Sequence, residues 1–313
     1  MAGLKNIKLK IGSTKKTATV TRAMEAVSAV KMRKAQERAL SGRAYAAAAL
    51  SILERLSATA DAAKHPLMAQ GNGIVARAAG GNTAVVVITS DKGLAGALNS
   101  SVIRAIETEL YERKIDRLRA PILAIGRRGA EYFASRGWSV SMRQENVADT
   151  VTEADMRKIT GRLLALYASG EIGAAIVAYT NFLSTFEQKP VVRQILPISP
   201  ESIRDMVRGI VPAKGRYAGM TQEVQNGPAA YTIEPDADAV LEELLPRLLN
   251  IAVFHALLEA KASEHSARMV AMKSATDKAK EMVGDLTRTF NKVRQAAITR
   301  EVSEITSGIE AMR

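Results

Sequence analysis

Apolar and small residues recur every three or four positions at both ends of the 313-residue chain, the spacing that lines one face of a helix packed against a partner. From Ser263 to Arg313 there is no proline, and the only glycines are Gly284 and Gly308. Met272, Thr276, Ala279, Val283, Leu286, Phe290, Val293 and Ala297 alternate by three and four; Ile298, Val302, Ile305, Ile309 and Met312 resume the alternation one position later. A one-residue shift turns the apolar stripe to another face. The spacing therefore predicts a helix that faces a partner helix up to Ala297 and a different partner from Ile298 on. At the other end Leu4, Ile7, Ile11, Thr14, Ala18 and Thr21 keep the same rhythm, and Met24 and Val27 are read as continuing it. A helix over 4–56 would extend roughly 80 Å, far more than a compact domain needs. The two ends together predict a long antiparallel coiled coil.

The pattern changes between them. Residues 57–82 carry Lys64-His65-Pro66 and the glycine pairs at 71, 73 and 80–81, the composition of a linker. Thr83 to Thr89 (TAVVVIT) is a continuous β-branched run bounded by turn residues, the form of a strand buried on both faces. Further strands are predicted at 121–125, 174–180 and 191–198, and helices at about 99–114, 127–136 and 153–169. Strands alternating with helices predict an open, mostly parallel, Rossmann-like α/β domain. The pattern weakens over 201–234, read as an irregular excursion or insertion, and helix resumes after Pro235 with Asp236 and Asp238 in its first turn. Pro246 is expected to kink this helix or mark its start. The predicted organisation is a shaft helix over 1–60, a linker over 61–82, an α/β domain over 83–200, the excursion over 201–234 and a second shaft helix over 235–313.

Charge sharpens the picture of the first helix. The net charge is +12; up to Ala60 the chain holds twelve Lys or Arg against Glu25, Glu37 and Glu54, so nine of those net charges lie there. A basic helix suits an acidic protein partner, nucleic acid or an anionic membrane surface. Nucleic-acid binding is the weaker fit, because only Tyr45 offers an aromatic for stacking in this region. The acid-free first 24 residues have the composition of a transit peptide, but apolar periodicity from Leu4 assigns them to the helix. No apolar run is long enough to span a bilayer as a helix.

Candidate chemistry is sparse. The absence of cysteine excludes disulfides, thiolate metal sites and cysteine nucleophiles. His65, His255 and His265 have no metal-ligand spacing, and no metal or cofactor is expected. The turn Ser90-Asp91-Lys92-Gly93-Leu94-Ala95-Gly96 could cradle phosphate at a helix N-terminus, yet it matches neither the P-loop pattern nor GxGxxG. A tight βα turn whose glycines permit close packing is the better reading. Carboxylate pairs such as Glu242-Glu243 have no His or Ser partner spaced near them. These observations predict a mechanical or interaction protein with no catalytic group of its own. A basic coiled-coil adaptor for nucleic acid or an anionic membrane is the alternative from another class.

Three stretches, IKLKIGSTKKTATVTRAMEAVSAVKMRKAQ (Ile7 to Gln36), SDKGLAGALN (Ser90 to Asn99) and SEHSARMVAMKSATDKAKEMVGDLTRTFNKVRQAAITREVSEITSG (Ser263 to Gly308), resemble the gamma subunit of rotary F-type ATP synthases. EPDADAVLEELLPRLL (Glu234 to Leu249) does so as well. The resemblance implies a non-catalytic central rotor, one copy per complex, turning inside a ring of alpha and beta subunits. It further implies contacts with an epsilon-type subunit and a membrane c-ring, and no nucleic acid. It places the protein peripherally, at the cytoplasmic face of a bacterial plasma membrane or, alternatively, the matrix face of the mitochondrial inner membrane. By motif, Arg294 and Gln295 resemble residues that contact a beta-subunit loop, and Thr299 and Glu304 resemble coupling positions. Met24 matches a position near an acidic beta-subunit region, Arg268 lies on the facing helix, and Lys31 and Arg33 add charge toward that region. Packing or pairing between the two helices is an equal reading for Met24 and Arg268. The lack of cysteine excludes the thiol switch of the chloroplast branch.

Overall fold

A computed structural model describes residues 2–41, 48–49, 51–53, 65–68, 82–199, 201–202 and 236–312. Most of the predicted linker and nearly all of the predicted excursion lie outside these residues. The elements are helix α1 (Ala2–Ser41), strand β1 (Asn82–Ile88), α2 (Leu98–Glu112), β2 (Ile122–Ile125), α3 (Arg127–Ser135), β3 (Val140–Gln144), α4 (Glu153–Ala168), β4 (Ile172–Phe182), β5 (Gln188–Leu196) and α5 (Ala237–Glu310). The chain divides into two compact units, one of Met1–Ser28 with Arg268–Arg313 and the other of Ala29–Ala267.

The larger unit is built on a five-stranded sheet of order β3-β2-β1-β4-β5. β1 pairs parallel with β2 and β4, β2 pairs parallel with β3, and β5 joins β4 antiparallel. The central position of β1 explains its sequence, because both of its faces are covered and every residue from Thr83 to Ile88 is buried. Its side chains alternate between two layers. Val85 and Val87 join Val102, Ile106 and Leu110 of α2 and Phe133 of α3. Val86 and Ile88 join Met156 and Leu163 of α4 and Leu241, Leu245 and Leu249 of α5.

β3 was not among the predicted strands. It is a sheet edge with alternating half-buried and exposed residues, and its polar Ser, Arg and Gln produce no apolar run. α5 is one helix of 74 residues that contains Pro246, so that proline does not mark a helix start. It removes one backbone donor, while buried Leu241, Leu245, Leu248 and Leu249 anchor the turns around it. α4 opens on a side-chain cap, in which the Thr152 N–H and hydroxyl each donate to Asp155 Oδ2 at 2.8 Å. Among the described residues no helix is long and apolar enough to cross a membrane.

The smaller unit is a pair of helices. Thr21 and Thr276 are both buried, and their hydroxyl oxygens lie 2.6 Å apart. The α1 seam through Leu4, Ile7, Ile11, Thr14, Ala18 and Thr21 is partly or fully buried, as the spacing predicts. Val27 does not continue it: it is 55% exposed, whereas Ser28 is 3% exposed. In this unit the spacing continues through Glu25 and Ser28; in the larger unit Met32, Ala35 and Ala39 of α1 are likewise partly or fully buried. Small and polar residues carry the register there, so apolar identity alone points to the wrong neighbour.

Candidate functional site

On α5 the seam begins fully buried at Met272, Thr276 and Ala279, becomes half-buried at Val283, Leu286 and Phe290, and is exposed by Val293 and Ala297. Pairing Thr21 with Thr276 in antiparallel helices of equal rise sets the start of α1 level with about residue 295. About fifteen residues of α5 therefore continue past the end of α1, roughly 23 Å of helix. The register shift at Ala297 and Ile298 falls where the partner helix ends. Ile298, Val302, Ile305 and Ile309 form the new stripe, each between 53% and 60% exposed. Among the described residues of this unit nothing covers that stripe, an exposed apolar row of the kind that marks interaction surfaces.

Arg294, Gln295 and Thr299 are exposed on this segment. Glu304 is exposed too, with its carboxylate 2.8 Å from the Arg300 guanidinium one turn back. Met24 is half-buried, and Arg268 is 8% exposed. The Thr pairing sets Met24 level with about residue 273 and Arg268 level with about residue 29, so the two lie about five residues apart along the axis. The structure thus gathers Arg294, Gln295, Thr299 and Glu304 on one exposed stretch and sets Met24 and Arg268 lower on the pair.

Lys31 and Arg33 belong to the larger unit. Arg33 is exposed, whereas Lys31 is engaged: its Nζ lies 2.8 Å from Asp149 Oδ2. Asp149 sits in the connection from β3 to α4 and meets groups from two helices. His265 Nε2 is 3.1 Å and Lys261 Nζ 3.5 Å from its Oδ1, and Arg38 donates to its backbone carbonyl. Burial pushes the Asp149 carboxyl up, but Lys31, His265 and Lys261 outweigh it and hold the group well below the ordinary carboxylate range. Nothing in the sequence marks Asp149, because its partners are more than a hundred residues away.

Glu259 of α5 was also missed. It is buried with both carboxylate oxygens lacking a hydrogen-bond partner. Burial pushes its pKa up to about 8 against the opposing effects of Arg193 and Tyr179. The Tyr179 hydroxyl is near enough to act on this acid, and burial with the Glu259 charge pushes the phenol up in turn. Helical arithmetic could have flagged it, since Ala252, Ala256, Glu259 and Ser263 fall on one buried face.

The turn after β1 spends its polar groups on itself. The Ser90 N–H donates to Asn99 Oδ1 at 2.9 Å, Asn99 Nδ2 donates to Ser90 Oγ at 2.8 Å, and Ser90 Oγ donates to the Lys92 carbonyl at 2.6 Å. Asp91 Oδ1 accepts from the Arg127 N–H at 3.0 Å, capping α3. This arrangement favours the packing role over phosphate binding. Among the described residues no group of acids and histidines could hold a metal ion.

The sequence profile of the family described as ATP synthase matches residues 3–312. The ATP synthase gamma chain of Cupriavidus metallidurans is 39% identical over 315 residues, covering 100% of both chains. This chain belongs to the ATP synthase gamma family. The gamma chain of Heliobacterium modesticaldum is 36% identical over 312 residues, again covering 100% of both. Among solved structures, a chain of the Euglena gracilis mitochondrial ATP synthase (OSCP/F1/c-ring) has a TM-score of 0.64 at 17% identity, covering 99% of this chain and 95% of that one. A chain of the Tetrahymena thermophila mitochondrial ATP synthase central stalk and c-ring has a TM-score of 0.54 at 22% identity, covering 82% and 99%. These likenesses carry the fold, and the family match carries the function of a gamma subunit, a rotor component without catalytic groups. The adaptor alternative is thereby set aside.

Proposed function

We propose that this gamma subunit turns, one copy per complex, inside a ring of alpha and beta subunits, and that its α/β unit meets an epsilon-type subunit and a membrane c-ring. Rotation of an asymmetric axle presents different surfaces to the catalytic subunits in turn, so ion flow becomes differential stabilisation of their open and closed states. The observation that carries the reading is the exposed apolar stripe from Ile298 to Ile309, which begins where α1 ends. Arg294, Gln295, Thr299 and Glu304 lie on the same stretch, where a surrounding ring would meet them. Half-buried Met24 and exposed Arg33 lie toward acidic beta-subunit surface, buried Arg268 serves the pairing of the two helices, and Lys31 adds only the charge left over from Asp149. The relatives in Cupriavidus and Heliobacterium support a peripheral position at the cytoplasmic face of a bacterial plasma membrane.

The test is reconstitution with alpha and beta subunits followed by ATP synthesis under an imposed ion gradient. Gln295→Leu should assemble normally and lose coupled synthesis. Normal synthesis by that variant removes the role of Gln295, and failure of the unmodified chain to assemble with alpha and beta subunits removes the partner assignment.

A further inference from the structure

We propose that Asp149 is the pin that fixes α1 to α5 within the α/β unit and thereby sets how stiffly torque passes between the two helices. The consequence for torque rests on the rotor function; the pin itself rests on geometry. Lys31 and Arg38 lie on one face of α1, seven residues apart, and Lys261 and His265 lie on one face of α5, four residues apart. All four reach the same residue: Lys31, Lys261 and His265 its carboxylate, and Arg38 its backbone carbonyl. Lys261 also donates to the carbonyl of Val147 in the same connection. The connection is held from its other side by buried Val151 and by the Thr152 cap of α4.

The neighbouring packing of α1 is built largely from small side chains. In this unit the buried residues of α1 are Ala35, which clusters with Ala262 of α5, Phe182 of β4 and the half-buried Met32, and Ala39, which joins the main core. Alanine surfaces are smooth and offer little resistance to one helix sliding or swivelling past another. A single exposed ion pair would add little to that resistance. Here, however, the side chains of His265 and Lys261 are only 6% and 12% exposed, so part of the cluster is shielded from solvent. The stoichiometry also matters, because three basic groups share one carboxylate. Removing the carboxylate takes away the anion that Lys31 of α1 and Lys261 of α5 share, so the two ammonium groups lose their common attraction. Asp149 is accordingly a positioning residue that acts through the helices and touches no reacting atom.

The experiment uses the assembled complex carrying Asp149→Ala, Asp149→Asn or Asp149→Glu, with two readouts. One is ATP hydrolysis by the detached catalytic portion, which turns the axle without load; the other is ATP synthesis in vesicles, which turns it under load. Asp149→Ala and Asp149→Asn should keep hydrolysis within about two-fold while losing about five-fold or more in synthesis, and Asp149→Glu should recover most of the loss. A purely structural role would lower both activities together through lost assembly. The proposal is overturned if synthesis is unchanged, if synthesis and hydrolysis fall in parallel, if Asp149→Glu rescues nothing, or if neither Ala nor Asn variant assembles while the unmodified chain does. Failure of the unmodified chain to assemble would instead overturn the rotor assignment.

Discussion

Replacing Glu259 with Gln should abolish a pH dependence of folding that this one acid imposes. The carboxyl is fully buried, and desolvation outweighs Arg193 and Tyr179 to raise its pKa from 4.5 to about 8. Between those values the native chain keeps a proton that the unfolded chain has released, so stability falls as pH rises. It is greatest below the unfolded value, declines by about 1.4 kcal/mol per pH unit, and flattens above the folded value, a total of about 5 kcal/mol. Gln is nearly isosteric and does not ionise. Its amide is also desolvated by full burial, which costs about 1–3 kcal/mol at every pH. The variant should therefore be less stable than the parent near pH 5 and more stable near pH 8, with the curves crossing between. Guanidinium unfolding of the full chain, followed by fluorescence from pH 5 to 9, measures this directly. Trp138 is the sole tryptophan and packs edge-on against Phe133 at 5.4 Å within the α/β unit. Taking the difference between the two proteins cancels the titration of every other group. Parallel curves would refute the reasoning and mean that Arg193 holds Glu259 ionised in the folded state.

Further substitutions test the fold where it positions these sites. Gly126 has φ +95°, and a β-carbon there would lie 2.0 Å from the Thr89 carbonyl oxygen, so Gly126→Ala should cost more than about 3 kcal/mol and show as lost soluble yield and a lowered unfolding midpoint. Gly161→Ala is its control, because a β-carbon in the α4 interior meets nothing within 4 Å and should stabilise by about 0.5–1 kcal/mol. In the helix pair, Thr21→Val or Thr276→Val alone should cost about 1–2 kcal/mol by leaving one buried hydroxyl short of a partner, while the double variant should cost less than the sum in a double-mutant cycle of the full chain. Additive losses would mean that the two hydroxyls are satisfied by their own helices, at Thr17 and Met272.

Strands β1, β2 and β4 are legible as sequence because burial on both faces demands uninterrupted β-branched and aliphatic residues. β3 is not, because an edge strand needs only every second residue and here uses a short, polar run. The helix pair is legible down to Thr21 and then slips, because the seam passes through Ser28, Ala35 and Ala39, whose fit depends on size more than on hydrophobicity. Arg294, Gln295, Thr299 and Glu304 could be located by motif and found exposed together. The engagement of Lys31 could not, since it depends on an aspartate 118 positions away that meets two helices only after folding. Local pattern predicts which face of an element is covered; which charge is already spent is a property of the tertiary structure.

That distinction bears on the exposed end of α5. The turns past residue 295 do not pay a nucleation cost, since they extend a helix already formed by pairing lower down. Their helicity needs only neutral propagation, and the Arg300 to Glu304 ion pair supplies a few tenths of a kcal/mol at most. Neither requirement calls for Ile298, Val302, Ile305 and Ile309 in one row; alternating Glu, Lys and Ala would serve a solvent-exposed extension better. An apolar row that nothing among the described residues of its unit covers is therefore suited to contact with a further surface. The one-residue shift at Ala297 does what such a surface requires: it ends a register suited to a narrow helix-to-helix seam and starts another that need not face the same way.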